Sequence, residues 1–163
     1  MPALLAAKRW GAFALVLAFG LALSIAPRRQ PNEILEGQPV AHDVSTVKWL
    51  DQPEDHDYAA AESYLALTFA ADQIAQLVRQ LRRSPLTEFK AKDIFRASGL
   101  SLLGISNTHV EKDRRKIASG EKLSPLLLVR DRERGRVIIA DGYHRLCAVY
   151  GYDEDASIPC KIV

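Results

Sequence analysis

The fold is decided by one stretch of the chain, VIIADGYHRLCAVY, at residues 137–150. Its first four residues are apolar, which is enough for a short buried strand. A turn follows at Asp141-Gly142, where the glycine can adopt the backbone conformation of a tight turn. The apolar run from Leu146 to Tyr150 then predicts a helix, so the polar residues of the stretch lie where that helix begins.

The turn at the start of this helix is a candidate phosphate site. The first N–H groups of a helix have no partner within the helix, and the helix dipole favours an anion beside them. Gly142 allows a close approach, and His144 and Arg145 can donate hydrogen bonds. The alternative for these two side chains is a surface pairing with the acidic loop at residues 153–155. Two interpretations of Asp141 remain open, a helix cap and a ligand of magnesium beside the phosphates.

Two further apolar runs predict the rest of a small sheet. Residues 126–129 and residues 137–140 flank a charged segment that contains Gly135, which predicts a β-hairpin. Residues 158–163 predict the last strand, and Pro159 is expected to start that strand or to place it at an edge of the sheet.

The motif DGYHR at residues 141–145, followed by an apolar helix and by IPCKIV at residues 158–163, resembles the ParB/sulfiredoxin superfamily. Sulfiredoxins have Gly-Cys-His-Arg at this turn, and ParB-like domains have Gly-x-x-Arg or Asp-Gly-x-His-Arg. The resemblance covers residues 122–163. It implies an α+β domain over residues 43–163, in which helices pack around a small mixed sheet.

The resemblance also implies a function. We expect a nucleoside triphosphate and magnesium as cofactors, in a protein that is a switch or a slow NTP hydrolase. The alternative within the same fold is phosphotransfer to a small molecule. Sulfinic acid reductase activity is not expected, because Tyr143 replaces the catalytic cysteine of sulfiredoxins. The residues that the resemblance assigns to the nucleotide are Asp141, Gly142, Tyr143, His144 and Arg145, and Asp141 is also the candidate magnesium ligand.

Four helices are predicted before the hairpin. The clearest covers residues 72–83, where Ile74, Leu77, Val78 and Leu81 form one apolar stripe. The others cover residues 58–69, 90–98 and 108–119.

Acidic residues lie at two of the predicted helix starts. Residues 54–57, EDHD, either bind a divalent cation or cap the helix that follows, with Asp57 as the N-cap. Thr108 and Glu111 fit a capping box. Glu111 is also the candidate catalytic base, provided that its helix borders the phosphate turn.

The net charge of +2 is unevenly distributed. Four basic residues lie before residue 30, and the rest of the chain has 18 basic and 20 acidic residues, so it is not a generally basic nucleic-acid-binding protein. Residues 79–122 nevertheless hold eleven Lys and Arg residues against five acids. A nucleic-acid-binding or protein-binding module that uses this region is a third functional hypothesis. A helix-turn-helix across residues 90–116, with the basic helix as the reader, is less favoured, because the connector is long and apolar for that motif.

Residues 1–29 form a separate hydrophobic segment, and residues 30–42 form a predicted linker. Residues 10–26 are 17 residues without a charge, which is the lower limit for a membrane span. Three interpretations remain open: an uncleaved membrane anchor, a cleaved signal peptide, and an extension from a start codon assigned too early. The resemblance favours a cytoplasmic location, where nucleotides are found, with anchoring through residues 10–26 as an option.

The chain has two cysteines, Cys147 and Cys160, and both fall in predicted apolar elements. Two cysteines in a chain of this length do not make a disulfide framework, so we expect buried free thiols.

Overall fold

The structure, a computed structural model, describes residues 47–163. The predicted hydrophobic segment at residues 1–29 and the linker at residues 30–42 lie outside the described residues. Within residues 47–163, no helix is long and apolar enough to cross a lipid bilayer. The elements of this part, in chain order, are β1 (Lys48–Trp49), α1 (Asp55–Leu65), α2 (Ala71–Arg83), β2 (Thr87–Lys90), α3 (Ala91–Ser98), α4 (Thr108–Ser119), β3 (Lys122–Leu123), β4 (Leu126–Asp131), β5 (Arg136–Asp141), α5 (Tyr143–Tyr150) and β6 (Ser157–Ile162).

A four-stranded mixed sheet forms the centre of this part of the chain. Its strand order is β2-β6-β4-β5. The central pair β6 and β4 is parallel, and the two outer pairs are antiparallel. β1 and β3 form a separate parallel pair. Together with the five helices between residues 55 and 150, these sheets confirm the predicted α+β class.

The predicted hairpin is confirmed, with both strands longer than expected. β4 and β5 pair antiparallel, with Leu128 opposite Ile139. Gly135 has a φ of +62° in the connecting turn, a left-handed conformation that favours glycine. β5 continues to Asp141, so the polar turn follows directly from the sheet.

The last strand, β6, lies in the middle of the sheet, so the expectation that Pro159 starts or edges it is wrong. β6 pairs with β4 only from Cys160 onward. Pro159 therefore precedes that ladder, and its missing N–H is tolerated there. Cys160 and Cys147 are buried free thiols, as predicted.

Helices cover both faces of the sheet. Successive residues of a strand point to opposite faces. Leu126 and Leu128 of β4 pack with α3, α4 and α5, whereas Leu127 and Val129 pack with α1 and α2. All four side chains are buried. The turn after β5 therefore lies where two helical layers meet the end of the sheet.

Helix α1 begins three residues earlier than predicted, and Asp57 is not its N-cap. The N-cap is Glu54, and Asp57 is the third residue of the helix. The Asp57 carboxylate accepts a hydrogen bond from the Glu54 N–H at 2.8 Å. This contact is the reciprocal half of a capping box, which explains why the sequence suggested a cap at this residue.

The capping box predicted for Thr108 and Glu111 is wrong. The N-cap of α4 is Asn107, whose side chain accepts a hydrogen bond from the His109 N–H at 3.0 Å. Asparagine is among the strongest N-cap residues. Glu111 instead pairs with Arg115 on the same helix at 3.1 Å.

Helix α2 presents its predicted stripe to the core. Ile74 and Leu81 are buried, and Leu77 and Val78 are partly buried against the same cluster. Because Leu77 is only partly buried, its packing contributes less to the free energy of unfolding than that of a fully buried leucine.

We expect Leu77→Ala to lower the free energy of unfolding by about 1–2 kcal/mol, less than the roughly 2–5 kcal/mol of a fully buried leucine. Arg79→Ala, on the exposed side of the same helix, is the matched control and should stay within about 0.5 kcal/mol of the wild type. Urea denaturation of the two variants measures both values. Equal losses would show that the stripe does not face the core.

Candidate functional site

The polar turn opens helix α5 without a side-chain cap. Gly142 is the N-cap residue, with a φ of +99°, and the N–H groups at the start of α5 donate no hydrogen bond to a capping side chain. The first N–H groups of α5, at Tyr143, His144 and Arg145, therefore keep their capacity to bind an acceptor. The capping interpretation of Asp141 is wrong, because its carboxylate contacts the Arg145 guanidinium instead.

This turn lines a cleft of about 460 Å³. A cleft of that size suits a small ligand. All five residues predicted to bind the nucleotide, from Asp141 to Arg145, are among its lining residues. The other lining residues are Ala60 and Tyr64 of α1, Asp113 of α4, Ile139 and Ala140 of β5, and Leu100.

The Arg145 guanidinium is held by two carboxylates. One of its terminal nitrogens lies 3.1 Å from Asp57 Oδ1, and the other contacts Asp141 Oδ2. The Arg145 side chain is 15% exposed. The alternative pairing of His144 and Arg145 with the loop at residues 153–155 is wrong for Arg145, because Asp155 pairs with lysines of β2 and α3.

Asp57 is the residue of this site that sequence reasoning missed. It is 1% exposed and lies 88 residues before Arg145 in the chain. Its Oδ2 atom accepts hydrogen bonds from the Ser124 hydroxyl and from the Glu54 N–H. These bonds join the start of α1, the segment before β4 and the start of α5 in one buried polar network. The acid-rich run at residues 54–57 was the only sequence signal that included Asp57.

The two carboxylates around Arg145 have opposite pKa shifts. Burial alone would raise the pKa of Asp57, but the Ser124 hydrogen bond and the charge of Arg145 hold that pKa below its ordinary value. Burial raises the pKa of Asp141, and the charge of Asp57 adds to this rise, while Arg145 only partly offsets it. The two carboxylates share the Arg145 guanidinium. Asp57 also accepts hydrogen bonds from Ser124 and Glu54, which stabilise its charged form.

Tyr143 and His144, the first two residues of α5, also contact residues outside the turn. The Tyr143 hydroxyl donates a hydrogen bond to the Ser101 carbonyl, which ties the connector before α4 to the start of α5. The His144 ring stacks against the His109 ring, with the centroids 4.8 Å apart. Burial and the neighbouring His109 lower the pKa of His144 from its ordinary value, which favours the neutral imidazole.

Glu111, the candidate catalytic base, is not among the residues that line the cleft. Its helix does border the cleft, but through Asp113. The Glu111 carboxylate pairs with Arg115 instead. Glu111 is thus not brought together with the residues of the turn.

The acid-rich run at residues 54–57 brings Glu54, His56 and Asp57 together, with their ligand atoms within 4.8 Å of one another. His56 Nε2 lies 3.6 Å from Asp57 Oδ1 and 3.8 Å from Glu54 Oε2. Both oxygens of Asp57 already accept hydrogen bonds, from Ser124 and Arg145. The three residues form a group that could hold a cation, which would share the Asp57 carboxylate with these hydrogen bonds.

The basic residues of the region 79–122 are distributed over three helices and the strands β2 and β3. Several of its cations have partners on the protein: Arg82 with Asp55, Lys90 and Lys92 with Asp155, Arg96 with Asp93, and Arg115 with Glu111. The Arg114 guanidinium lies 4.4 Å from the centroid of the Tyr152 ring. These pairings reduce the charge that is available for a nucleic acid.

Comparison with known proteins adds no family to this geometry. Neither the models of protein families, nor the curated proteins, nor the solved structures contain a significant match to this chain.

Proposed function

We propose that residues 43–163 form a domain of ParB/sulfiredoxin type that binds the phosphates of a nucleoside triphosphate at the turn from Asp141 to Arg145. The observation that carries this proposal is the uncapped start of α5, which lies in the wall of the 460 Å³ cleft. Backbone N–H groups at a helix start, next to a glycine, are a recurrent phosphate site in proteins. The motif DGYHR at these positions supports the same assignment.

The charges around the turn favour a triphosphate that carries magnesium. Asp57 and Asp141 flank a single guanidinium, that of Arg145. When all three groups are ionised, their net charge is negative, which repels a bare triphosphate. Magnesium offsets this repulsion, and the partly exposed carboxylate of Asp141 is an oxygen donor of the type that magnesium prefers.

In this proposal Arg145 positions the turn and does not act as a free phosphate-binding fork. Its two terminal nitrogens are engaged by Asp57 and Asp141. The phosphates would therefore rest on the backbone N–H groups, with His144 at the side. Binding, as in a nucleotide-dependent switch, fits this arrangement better than phosphotransfer, because Glu111 does not line the cleft.

Thiol chemistry is not part of the proposal. Tyr143 occupies the position of the sulfiredoxin cysteine, and its hydroxyl binds the Ser101 carbonyl. Cys147, one turn further along α5, is buried, and burial raises the pKa of its thiol. A buried thiol with a raised pKa is a poor nucleophile.

The test is calorimetric titration of the full chain with ATP and GTP, in magnesium and in EDTA. We expect binding in magnesium and much weaker binding in EDTA. Release of phosphate during long incubation, with and without added small-molecule acceptors, separates a switch from a hydrolase or a phosphotransferase. Absence of nucleotide binding in both buffers would refute the proposal.

The role of Asp141 gives a sharper prediction. We expect Asp141→Asn to weaken binding of the magnesium-bound triphosphate about tenfold or more, since a charge-assisted contact contributes roughly 1.5–3 kcal/mol. In EDTA the same variant should bind the free triphosphate at least as well as the wild type, because one negative charge is gone. The variant should remain folded, because burial already disfavours the charged form of Asp141.

Asp131→Asn is the matched control for Asp141→Asn. It makes the same change of charge on β4, outside the cleft, where Asp131 pairs with Arg134. It should leave nucleotide binding unchanged in both buffers. If both variants weaken binding equally, the effect comes from the overall charge, and Asp141 is not a magnesium ligand.

A further inference from the structure

Two histidines from different helices meet at the edge of the cleft. His109 lies in the first turn of α4 and His144 in the first turn of α5, and these two helices pack against each other. Their imidazole rings are 4.8 Å apart between centroids, with an angle of 31° between the ring planes. His109 is exposed and His144 is partly buried. Neither ring is needed to fill the hydrophobic core.

The separation of the two rings suits a shared metal ion. Two imidazoles that bind one tetrahedral zinc at about 2.0–2.1 Å place their ring centroids about 5 Å apart. Because His109 is exposed, its ring can rotate about the Cβ–Cγ bond to direct a nitrogen towards the space beside His144. The backbone need not move for the two rings to share one ion.

Asp113 is the candidate third donor. Asp113 lies four residues after His109 on α4, so both side chains are on the same face of that helix. Asp113 also lines the cleft together with His144, and its charge acts on that imidazole. Two imidazoles and one carboxylate are a common protein ligand set for zinc and for other divalent transition metals.

We propose that His109, His144 and Asp113 bind a divalent transition-metal ion, with zinc as the reference metal and an open coordination position facing the cleft. A site of this type differs from the magnesium position assigned to Asp141, since imidazole is a poor magnesium ligand. The inference does not depend on nucleotide binding, and its test contains no nucleotide.

Among residues 47–163, Glu54, His56 and Asp57 form a competing group, with ligand atoms within 4.8 Å of one another. Its buried member, Asp57, is committed to Ser124 and Arg145. A metal bound there would share the Asp57 carboxylate with the buried polar network, whereas a metal between His109 and His144 displaces only a ring contact. Variants at His56 and at His109 distinguish the two groups.

The experiment is a zinc titration of the full chain in competition with a chromophoric chelator, together with the visible spectrum of a cobalt(II) complex. We expect one zinc per chain and the strong visible bands of tetrahedral cobalt. His109→Asn should weaken zinc binding at least tenfold and abolish the cobalt bands. Asp113→Asn should weaken zinc binding less, because it leaves both imidazoles in place. An excess of magnesium should not displace the zinc.

The chain has four histidines, so the other two provide matched controls. His42→Asn and His56→Asn should leave zinc affinity unchanged. His109 is exposed, so its replacement should leave the circular dichroism spectrum unchanged and keep the comparison valid. Unchanged affinity in His109→Asn, or loss of affinity in His56→Asn, would overturn the proposal. Displacement of zinc by magnesium would also overturn it.

Discussion

Replacing Arg145 with alanine is expected to lower the free energy of unfolding by about 3–5 kcal/mol. The Arg145 guanidinium is the shared cation of Asp57 and Asp141, and the Asp57 side chain is only 2% exposed. Removing the cation leaves two neighbouring carboxylates in a poorly hydrated site. A buried charge without its partner costs far more than the loss of one surface ion pair, which is worth about 0–1 kcal/mol.

The pH dependence of this loss provides an internal check. The lowered pKa of Asp57 means that the folded state binds its proton less readily than the unfolded state does. Its contribution to stability is therefore present above the unfolded pKa, about 3.9, and is lost as the pH falls through the lower folded pKa. In Arg145→Ala the two carboxylates can take up protons as the pH falls. The difference in free energy of unfolding between the wild type and Arg145→Ala should therefore become smaller from pH 7 towards pH 4.

Urea denaturation at several pH values measures this gap. Arg82→Ala is the matched control, because Arg82 pairs with Asp55, whose side chain is exposed. It should cost roughly 1 kcal/mol or less. Arg145→Lys should recover part of the stability, since an ammonium keeps the charge but cannot bridge two carboxylates with a planar fork. If Arg145→Ala loses no more than Arg82→Ala, the buried network does not stabilise the fold.

This result also separates two explanations for a binding defect. A variant of Arg145 that loses nucleotide affinity while its fold is intact would show that the guanidinium contacts phosphate. A variant that loses both affinity and stability is explained by collapse of the turn. The structure predicts the second outcome, because both terminal nitrogens of Arg145 are already engaged.

The strand–turn–helix unit could be predicted because its signals are local. Four apolar residues, a glycine and a second apolar run lie within residues 137–150, and the structure has β5, Gly142 and α5 at these positions. The hairpin before it has a similarly local signal in Gly135. Neither prediction needed information about distant residues.

The partner of Arg145 could not be predicted in the same way. Asp57 lies 88 residues away and reaches the turn only because α1 packs across β5. In the sequence, Asp57 has the features of an N-cap residue. In the structure the N-cap is Glu54, three residues earlier, and Asp57 accepts a hydrogen bond from the Glu54 N–H. The His109–His144 contact was also not visible, because it depends on how α4 and α5 pack.

The start of α4 shows the limit of local signals. Thr108 and Glu111 have the spacing of a capping box, but Asn107 lies one residue earlier and is a stronger cap. Two competing caps one residue apart cannot be ranked by spacing alone. The error also matters for function, because the Glu111 side chain then pairs with Arg115 and is not directed to the cleft.

Replacing Gly142 with alanine is expected to cost about 2–5 kcal/mol, from two separate causes. Gly142 has a φ of +99°, and a left-handed residue with a Cβ costs roughly 1–2 kcal/mol. An added Cβ would also lie 2.8 Å from Leu126 Cγ and 3.1 Å from the Arg145 guanidinium. Leu126 is fully buried and has little room to shift, and overpacking of this kind costs about 1–3 kcal/mol.

Gly135→Ala is the control that isolates the contact with Leu126. Gly135 has a φ of +62°, but an added Cβ there meets no atom within 4 Å. It should therefore show only the backbone cost, about 1–2 kcal/mol. Thermal and urea denaturation of both variants measure the difference, and equal losses would mean that Leu126 yields to the new Cβ.

Because packing alone requires a glycine at position 142, the phosphate role is tested by nucleotide titration of Gly142→Ala under conditions where it is folded. Undiminished nucleotide affinity in that variant would contradict the assignment of the phosphates to this turn.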